Sequence, residues 1–201
     1  MVRVISGKYK RRLLKTLSGT DVTRPTSDRV KENLFNILSF DIQGAIVWDL
    51  FAGSGALGIE ALSRGAQHVT FVEQSPAACR IISENLRTLG VPSERFRLVS
   101  GSVTDFLKSQ ARATEKSSAN DAAFVSVVLA DPPYHSNWYD EALDLIAASQ
   151  VCAPECLVVL EMNSDRNLSH SDERTWQLVD ERKYGLAQLQ FWRFLEKGEV
   201  K

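Results

Sequence analysis

The sequence predicts an α/β protein whose mostly parallel sheet closes with an antiparallel hairpin. Strand-like and helix-like segments alternate from residue 45 onward, and a glycine-rich turn follows the first of these strands. Near the C-terminus, the strand-like segments 176–184 and 186–195 are separated only by Gly185. Two strands joined this tightly must be antiparallel, which distinguishes the end of the sheet from its beginning.

The composition is that of an ordinary globular protein of one domain with a small appendage. The chain has 201 residues, of which 44% are hydrophobic and 24% charged. No segment reaches the ~20 apolar residues of a membrane helix, and the N-terminus lacks the apolar core of a signal peptide. The three cysteines form no metal-like pairs. These features predict a cytoplasmic protein with reduced, buried thiols and no bound metal.

Positive charge is concentrated at the N-terminus. Residues 1–31 contain nine Lys or Arg and two Asp, whereas the whole chain has a formal charge of −1. Apolar and basic residues alternate around Gly7, which predicts a two-stranded ribbon that needs the main body or RNA to hold its shape. We therefore expect a basic extension at 1–24 and a main domain at 25–201. Contact with a phosphate backbone would explain the charge, and a solvated basic arm is the alternative.

The first helix is expected after Pro25, capped by Thr26, Ser27 or Asp28. Its apolar residues recur at helical spacing and predict one buried face: Val30, Leu34, Ile37 and Leu38. The first turn would place Arg29 and Lys31 near Arg24 and the ribbon. We therefore expect the basic surface to continue onto this helix.

The rest of the chain alternates between strands and helices. Strands are predicted at 45–50, 68–73, 95–100, 124–130 and 156–162, and helices at 56–64, 76–89, near 103–111 and at 138–149. Ser75, Pro76 and Gly90 stand where a cap, a first helical residue and a helix stop are favoured. The polar tract 113–121 lacks periodicity and predicts a surface loop. Segment 124–130 is almost wholly apolar, which is typical of a strand covered on both faces.

The glycine turn is typical of a nucleotide-binding loop. Gly53, Gly55 and Gly58 satisfy G-x-G-x-x-G, and Glu73 lies 20 residues after Gly53 at the end of the next strand. Glycines let a ligand approach the backbone, and the following helix offers unpaired N–H groups. This spacing alone does not choose between NAD and another adenosine ligand, so an NAD-dependent oxidoreductase stays open here.

A second motif, Asp131-Pro132-Pro133-Tyr134, directly follows the apolar strand 124–130. Because ligands of open α/β sheets bind beyond the carboxyl ends of the strands, we expect it to face the same crevice as the glycine turn. Successive prolines fix the backbone and remove N–H donors, which leaves carbonyl oxygens as acceptors. Asp131 and the Pro132 carbonyl could accept two N–H bonds from a planar amine while Tyr134 stacks on its ring.

Together these segments resemble the class I S-adenosylmethionine-dependent methyltransferases, which have a Rossmann-like fold. More narrowly, they resemble the RsmD family of 16S ribosomal RNA guanine-N2 methyltransferases. The matching segments are 3–8, 24–32, 34–36, 49–58, 60–66 and 131–134. The resemblance implies S-adenosylmethionine as cofactor and 16S rRNA, in the assembled or assembling small subunit, as substrate. An adenine-N6 methyltransferase and a catalytically idle RNA-binding assembly factor are the alternatives, and a monomer is the default expectation.

The resemblance also assigns roles to individual residues. Asp131, Pro132 and Tyr134 would be catalytic, although the family commonly has Phe at the position of Tyr134. The expected cofactor-binding residues are Asp49, Phe51, Gly53, Gly55, Glu73 and Ser102, and Ser102 stands where many class I enzymes have an acid or amide. The expected RNA contacts are Lys8, Arg11, Arg12, Arg24 and Arg29.

Overall fold

The computed structural model describes residues 2–17, 28–114, 124–133, 138–166, 168 and 175–195. It confirms the predicted fold class, an α/β fold with parallel strands, a closing antiparallel hairpin and an N-terminal ribbon. The chain divides into two compact units, Met1–Val103 and Thr104–Lys201.

The first unit contains the ribbon and three parallel strands. Strands β1 (Val2–Arg3) and β2 (Leu13–Leu14) pair antiparallel. The remaining elements, in chain order, are α1 (Asp28–Ile37), β3 (Ile46–Leu50), α2 (Ala56–Ser63), β4 (His68–Glu73), α3 (Pro76–Leu89), a 3₁₀ turn (Ser93–Arg95) and β5 (Phe96–Ser100). Strand β4 pairs in parallel with β3 on one side and β5 on the other.

The second unit contains the strands that change direction. Helix α4 (Val103–Thr114) begins at the boundary between the units and lies almost wholly in the second. The elements that follow are β6 (Val125–Ala130), α5 (Trp138–Ala148), β7 (Cys152–Asn163), β8 (Trp176–Tyr184) and β9 (Ala187–Phe194). Strands β6 and β7 are parallel, whereas β9 pairs antiparallel with both β7 and β8. Gly185 opens the two-residue hairpin loop with a φ of +63°, a backbone conformation that favours glycine.

Local sequence signals account for the boundaries of helix α3. The Ser75 side chain accepts a hydrogen bond from the Ala78 amide at 3.4 Å, and Gly90 ends the helix with a φ of +65°. These positions confirm the prediction, because an oxygen cap and a left-handed glycine are the favoured ends of a helix.

Two predicted boundaries were wrong by more than one residue. Helix α4 continues to Thr114, so residues 113 and 114 of the tract expected to be a loop are helical, in keeping with the high helix propensity of Ala113. Residues 115–121 of that tract lie outside the described residues. Strand β7 begins at Cys152 rather than 156, because Cys152 already pairs with Val125 before the register shifts.

The core lies along the central strands and the helix faces packed on them. Val47, Leu50, Val69 and Phe71 in the first unit are fully buried, as are Val127 and Leu160 in the second. All three cysteines are buried and none forms a disulfide. In the described part of the chain, no helix combines the length and apolar character needed to cross a membrane.

Candidate active site

The turn after strand β3 is held by two acidic side chains. Asp49 Oδ2 accepts a hydrogen bond from the Gly58 amide at 2.8 Å, and Glu73 Oε2 accepts one from the Gly53 amide at 2.8 Å. Positive φ angles of +57° and +78° at Gly53 and Gly55 reverse the chain there. Phe51 also has a positive φ of +62°, which is uncommon for a residue with a side chain. The turn is therefore built to a fixed shape.

Glu73 ends strand β4 with one hydrogen bond on each carboxylate oxygen. In addition to the Gly53 bond, its Oε1 accepts from the Ser75 amide at 2.7 Å. The residue is 9% exposed. Each oxygen of a carboxylate has a second lone pair. Glu73 can therefore accept from two hydroxyl groups of a ligand without giving up its contacts to the turn.

Asp49 lies deeper, at 2% exposure. Burial raises the pKa of its carboxyl to about 8, opposed by the hydrogen bond from Gly58 and assisted by the nearby charge of Glu73. The group is consequently protonated over most of the neutral pH range. A cation brought close to it would favour ionisation.

The remaining cofactor candidates stand on the same side of the unit. Gly101 donates from its amide to the Glu73 carbonyl at 3.0 Å, which places half-buried Ser102 directly beyond the end of strand β5. Phe51 is half-buried and follows strand β3. All six predicted cofactor residues thus lie at or just beyond the carboxyl ends of three adjacent strands.

Alanine at Gly58 is expected to destabilise the protein by about 1–3 kcal/mol, the usual cost of overpacking a core. A Cβ there would lie 2.3 Å from Phe71 Cε1 and 2.8 Å from Asp49 Oδ2, so the ring and the carboxyl must both move. Urea unfolding measures the effect. Gly101→Ala is the control, since a Cβ at that position meets nothing within 4 Å. Equal stabilities of the two variants would contradict the prediction.

In the second unit, the Asp-Pro-Pro segment directly follows strand β6. Asp131 is half-buried, Pro132 is buried and Pro133 is exposed. The Pro132 carbonyl accepts a hydrogen bond from the Tyr139 hydroxyl at 3.0 Å. The same hydroxyl lies 3.1 Å from the Glu161 carbonyl of strand β7. Tyr134, the third predicted catalytic residue, lies outside the described residues.

From the sequence, Tyr139 is expected mainly to begin helix 138–149, with the edge of a base pocket as the alternative; the structure places it in α5 and in contact with the Pro132 carbonyl. Its ring is 1% exposed, and the Arg166 guanidinium lies 4.6 Å from the ring centroid. A phenol has one proton to donate, so the two carbonyls share it. The side chain therefore ties the Pro132 carbonyl to strand β7. The only signal in the sequence was its position close to the Asp-Pro-Pro motif.

The N-terminal ribbon packs against helix α2. The Lys8 amide donates to the Ser63 carbonyl at 2.8 Å, and the Tyr9 amide donates to Ser63 Oγ at 2.9 Å. Gly7 has a φ of +80°, and a Cβ there would lie 1.9 Å from the Ser63 carbonyl oxygen. The main body thus supplies the support that a short hairpin lacks on its own.

Glu60 anchors the ribbon from inside helix α2. Its carboxylate is fully buried and accepts from the Ile5 amide at 2.7 Å and the Ser6 amide at 3.0 Å. It also accepts from Arg64 Nε at 2.8 Å and lies 3.8 Å from Lys31 Nζ. A buried carboxylate with this many donors is well compensated for its lost hydration.

Lys31 corrects one expectation about the basic surface. The residue is 1% exposed, its ammonium donates to the Arg3 carbonyl at 2.5 Å, and burial lowers its pKa. It lies near the ribbon as expected, but it points into the protein because it shares the buried face of α1 with Val30. Lys31 is therefore part of the ribbon's anchor and adds nothing to the surface.

Four of the five predicted RNA-contact residues are described, and all four are exposed: Lys8, Arg11, Arg12 and Arg29. Arg12 also donates to the Thr88 carbonyl at 3.4 Å, at the end of helix α3. Arg24 lies outside the described residues. The described part of the ribbon therefore presents a basic surface to solvent.

Comparison with known proteins adds to this geometry. A family model described as conserved hypothetical protein 95 matches residues 2–193. The ribosomal RNA small subunit methyltransferase D of Haemophilus influenzae is 36% identical over 192 residues, which are 96% of this chain and 93% of that protein. The chain belongs to the RsmD family.

Solved structures share the fold of this chain. The Escherichia coli protein YhhF is 31% identical and superposes with a TM-score of 0.80 over 96% of this chain and 98% of that one. A methyltransferase solved in complex with S-adenosylhomocysteine shares the fold at 14% identity, with a TM-score of 0.66 over 82% of this chain and 48% of that one. The fold of this RsmD-family chain is thus that of class I methyltransferases.

Proposed function

We propose that this chain transfers a methyl group from S-adenosylmethionine to the N2 amine of a guanine in 16S rRNA of the small ribosomal subunit. The observation that carries the proposal is the pair of acceptors at the end of strand β6, where Asp131 precedes a Pro132 carbonyl held by Tyr139. The name of the Haemophilus influenzae relative supports the rRNA substrate. The protein would work in the cytoplasm as a monomer, with residues 1–24 as an RNA-binding extension of domain 25–201.

The residues of the glycine turn fit S-adenosylmethionine. Glu73 has lone pairs for two ribose hydroxyls, and buried Asp49 suits the ammonium of the methionine part. A Cβ on Gly53 would meet only the Phe51 carbonyl, at 3.9 Å, so the space beside it is open to a ligand. Phe51, Gly55 and Ser102 would complete the contacts. When bound, S-adenosylmethionine supplies an electrophilic methyl group on a sulfonium.

Cofactor binding is expected to release a proton from Asp49. Its pKa of about 8 means that the group is protonated below that pH, and an ammonium nearby would lower the pKa and ionise it. Affinity for S-adenosylhomocysteine should therefore rise as the pH increases from 6 towards 8. Calorimetry in buffers of different ionisation enthalpy measures the released proton. Asp49→Asn should abolish the release, and an unchanged release in that variant would exclude Asp49 as its source.

Guanine N2 is a poor nucleophile because its lone pair is delocalised into the ring. The acceptors at Asp131 and Pro132 would make it a better one. Holding both N–H groups would favour a pyramidal nitrogen and stabilise the positive charge that develops on it. Oriented in this way, the N2 lone pair would be available to the methyl group that S-adenosylmethionine supplies, and Asp131 would accept the proton that the amine loses. The base must leave its stack to be reached, and Tyr134 would recover part of that cost by stacking.

Tyr139→Phe is expected to lower kcat about 10- to 100-fold, because small misplacements of positioning groups have effects of this size. The change frees the Pro132 carbonyl from its 3.0 Å hydrogen bond and leaves the ring packing in place. Single-turnover methylation measures the rate, and affinity for S-adenosylhomocysteine should be unchanged. Tyr184→Phe on strand β8 is the control. A normal rate in Tyr139→Phe would show that the carbonyl needs no such support.

The direct test is transfer of labelled methyl from S-adenosylmethionine to unmodified small ribosomal subunits, naked 16S rRNA and adenine-rich DNA, followed by nucleoside analysis. Label in N2-methylguanosine is the expected result. Label in N6-methyladenosine would refute the guanine assignment while retaining a methyltransferase. RNA binding with no label in any substrate would favour an idle assembly factor.

A further inference from the structure

Asn85 connects the N-terminal ribbon to the glycine turn within the first unit. Its Oδ1 accepts from the Lys15 amide at 2.9 Å, and its Nδ2 donates to the Lys15 carbonyl at 3.1 Å. The same Nδ2 donates to the Ser54 carbonyl at 3.1 Å. Ser54 lies between Gly53 and Gly55, at the centre of the turn. One side chain thus contacts both the proposed RNA-binding element and the proposed cofactor loop.

These bonds use both donors of the Asn85 amide. The residue is 3% exposed and lies on the buried face of helix α3, beside Ile82 and Leu86. A buried amide that loses one partner cannot replace it with water, so each bond depends on the position of the others. A shift of the ribbon at Lys15 must therefore move Asn85 or break its bond to Ser54.

The ribbon has two further contacts with helix α3. Lys15 Nζ forms an ion pair with Glu84, and the Arg12 guanidinium donates to the Thr88 carbonyl at 3.4 Å. Arg12 and Lys15, which flank strand β2, thus both contact the C-terminal half of α3, the helix that carries Asn85. A phosphate contact at Arg12 would act on a segment already joined to this helix.

We propose that Asn85 is a positioning residue that couples RNA binding at the ribbon to cofactor binding at the glycine turn. The inference rests on the proposed function, since it takes RNA and S-adenosylmethionine as the two ligands. RNA that fixes the ribbon would fix Lys15, and through Asn85 it would hold the Ser54 carbonyl in the conformation described here. Because coupling of binding energies is reciprocal, cofactor would in turn strengthen RNA binding.

The test compares affinity for S-adenosylhomocysteine, which cannot transfer methyl, with and without saturating unmodified small ribosomal subunits. In the wild type, subunits should tighten binding about fivefold or more, the lower end of ordinary coupling. Asn85→Ala should reduce this factor below about twofold, since the bridge is lost. Ser83→Ala is the matched control, because it removes a hydrogen bond between two residues of the same helix, from Ser83 Oγ to the Cys79 carbonyl.

A second measurement uses only the wild type, so it tests the coupling even if Asn85→Ala does not fold. Hydrogen exchange of the Lys15 amide, which Asn85 holds, should slow about fivefold when S-adenosylhomocysteine binds the wild type. Equal coupling in wild type and Asn85→Ala, or an unchanged Lys15 amide in the bound wild type, would overturn the inference. A wild type that binds neither ligand would instead refute the proposed function.

Discussion

Asp131→Ala is expected to lower the rate of methyl transfer by about 10²–10³-fold, the loss seen when one preorganised charge-stabilising group is removed. The reason is that the N2 nitrogen would lose the carboxylate that orients it, stabilises its developing charge and accepts its proton. Single-turnover transfer of labelled methyl to small ribosomal subunits measures the rate. The cofactor residues assigned to the first unit are unchanged, so affinity for S-adenosylhomocysteine should be retained.

Two further variants complete this test, one that removes only the charge of Asp131 and one that serves as a control elsewhere in the unit. Asp131→Asn keeps an oxygen acceptor but loses the negative charge, so it should retain more activity than alanine and still fall well below the wild type. Asp144→Ala on helix α5 removes an exposed carboxylate from the same unit and should have a normal rate. A normal rate in Asp131→Ala would remove this residue from the mechanism.

Glu60→Ala is expected to reduce the free energy of unfolding by about 3–5 kcal/mol, the usual cost of breaking a buried ion pair on one side. The substitution would leave Lys31 and Arg64 without their carboxylate and the Ile5 and Ser6 amides without an acceptor. Urea unfolding followed by circular dichroism measures the loss.

Glu84→Ala is the matched control for this prediction. Glu84 also pairs with a lysine of the ribbon region, Lys15, but 37% of its side chain is exposed. Exposed ion pairs contribute little to stability because water screens them, so this variant should unfold at nearly the same urea concentration as the wild type. A Glu60→Ala variant as stable as Glu84→Ala would show that the ribbon's anchor lies elsewhere.

The elements that the sequence predicted best are those set by local chemistry. Ser75 and Gly90 mark the ends of helix α3, and the single Gly185 between two strand-like segments fixed the hairpin of β8 and β9. The apolar segment 124–130 became strand β6 with little change in its bounds. In each case the residues that specify the structure are neighbours in the chain, so a short window contains the whole signal.

The site residues that sequence reasoning missed depend on contacts between distant segments. Glu60 binds amides 54 and 55 residues away, and Asn85 binds Lys15 at a separation of 70. The one local signal for each was a polar residue on an otherwise apolar helix face. Such a signal does not show which distant residue forms the hydrogen bond. Lys31 gave the same signal beside Val30, and only the packing of the ribbon shows that its ammonium is buried.

Strand β8 is an edge strand, and its sequence protects it from pairing with other strands. Among the described residues no other strand pairs with its outer edge, and an unpaired edge invites association with a strand of another molecule. Here the register shifts between Leu178 and Asp180, and the charged run 180–183 follows. A bulge and a row of charges are the means by which natural sheets discourage such pairing. This edge is poorly suited to sheet extension between copies, which favours the proposed monomer.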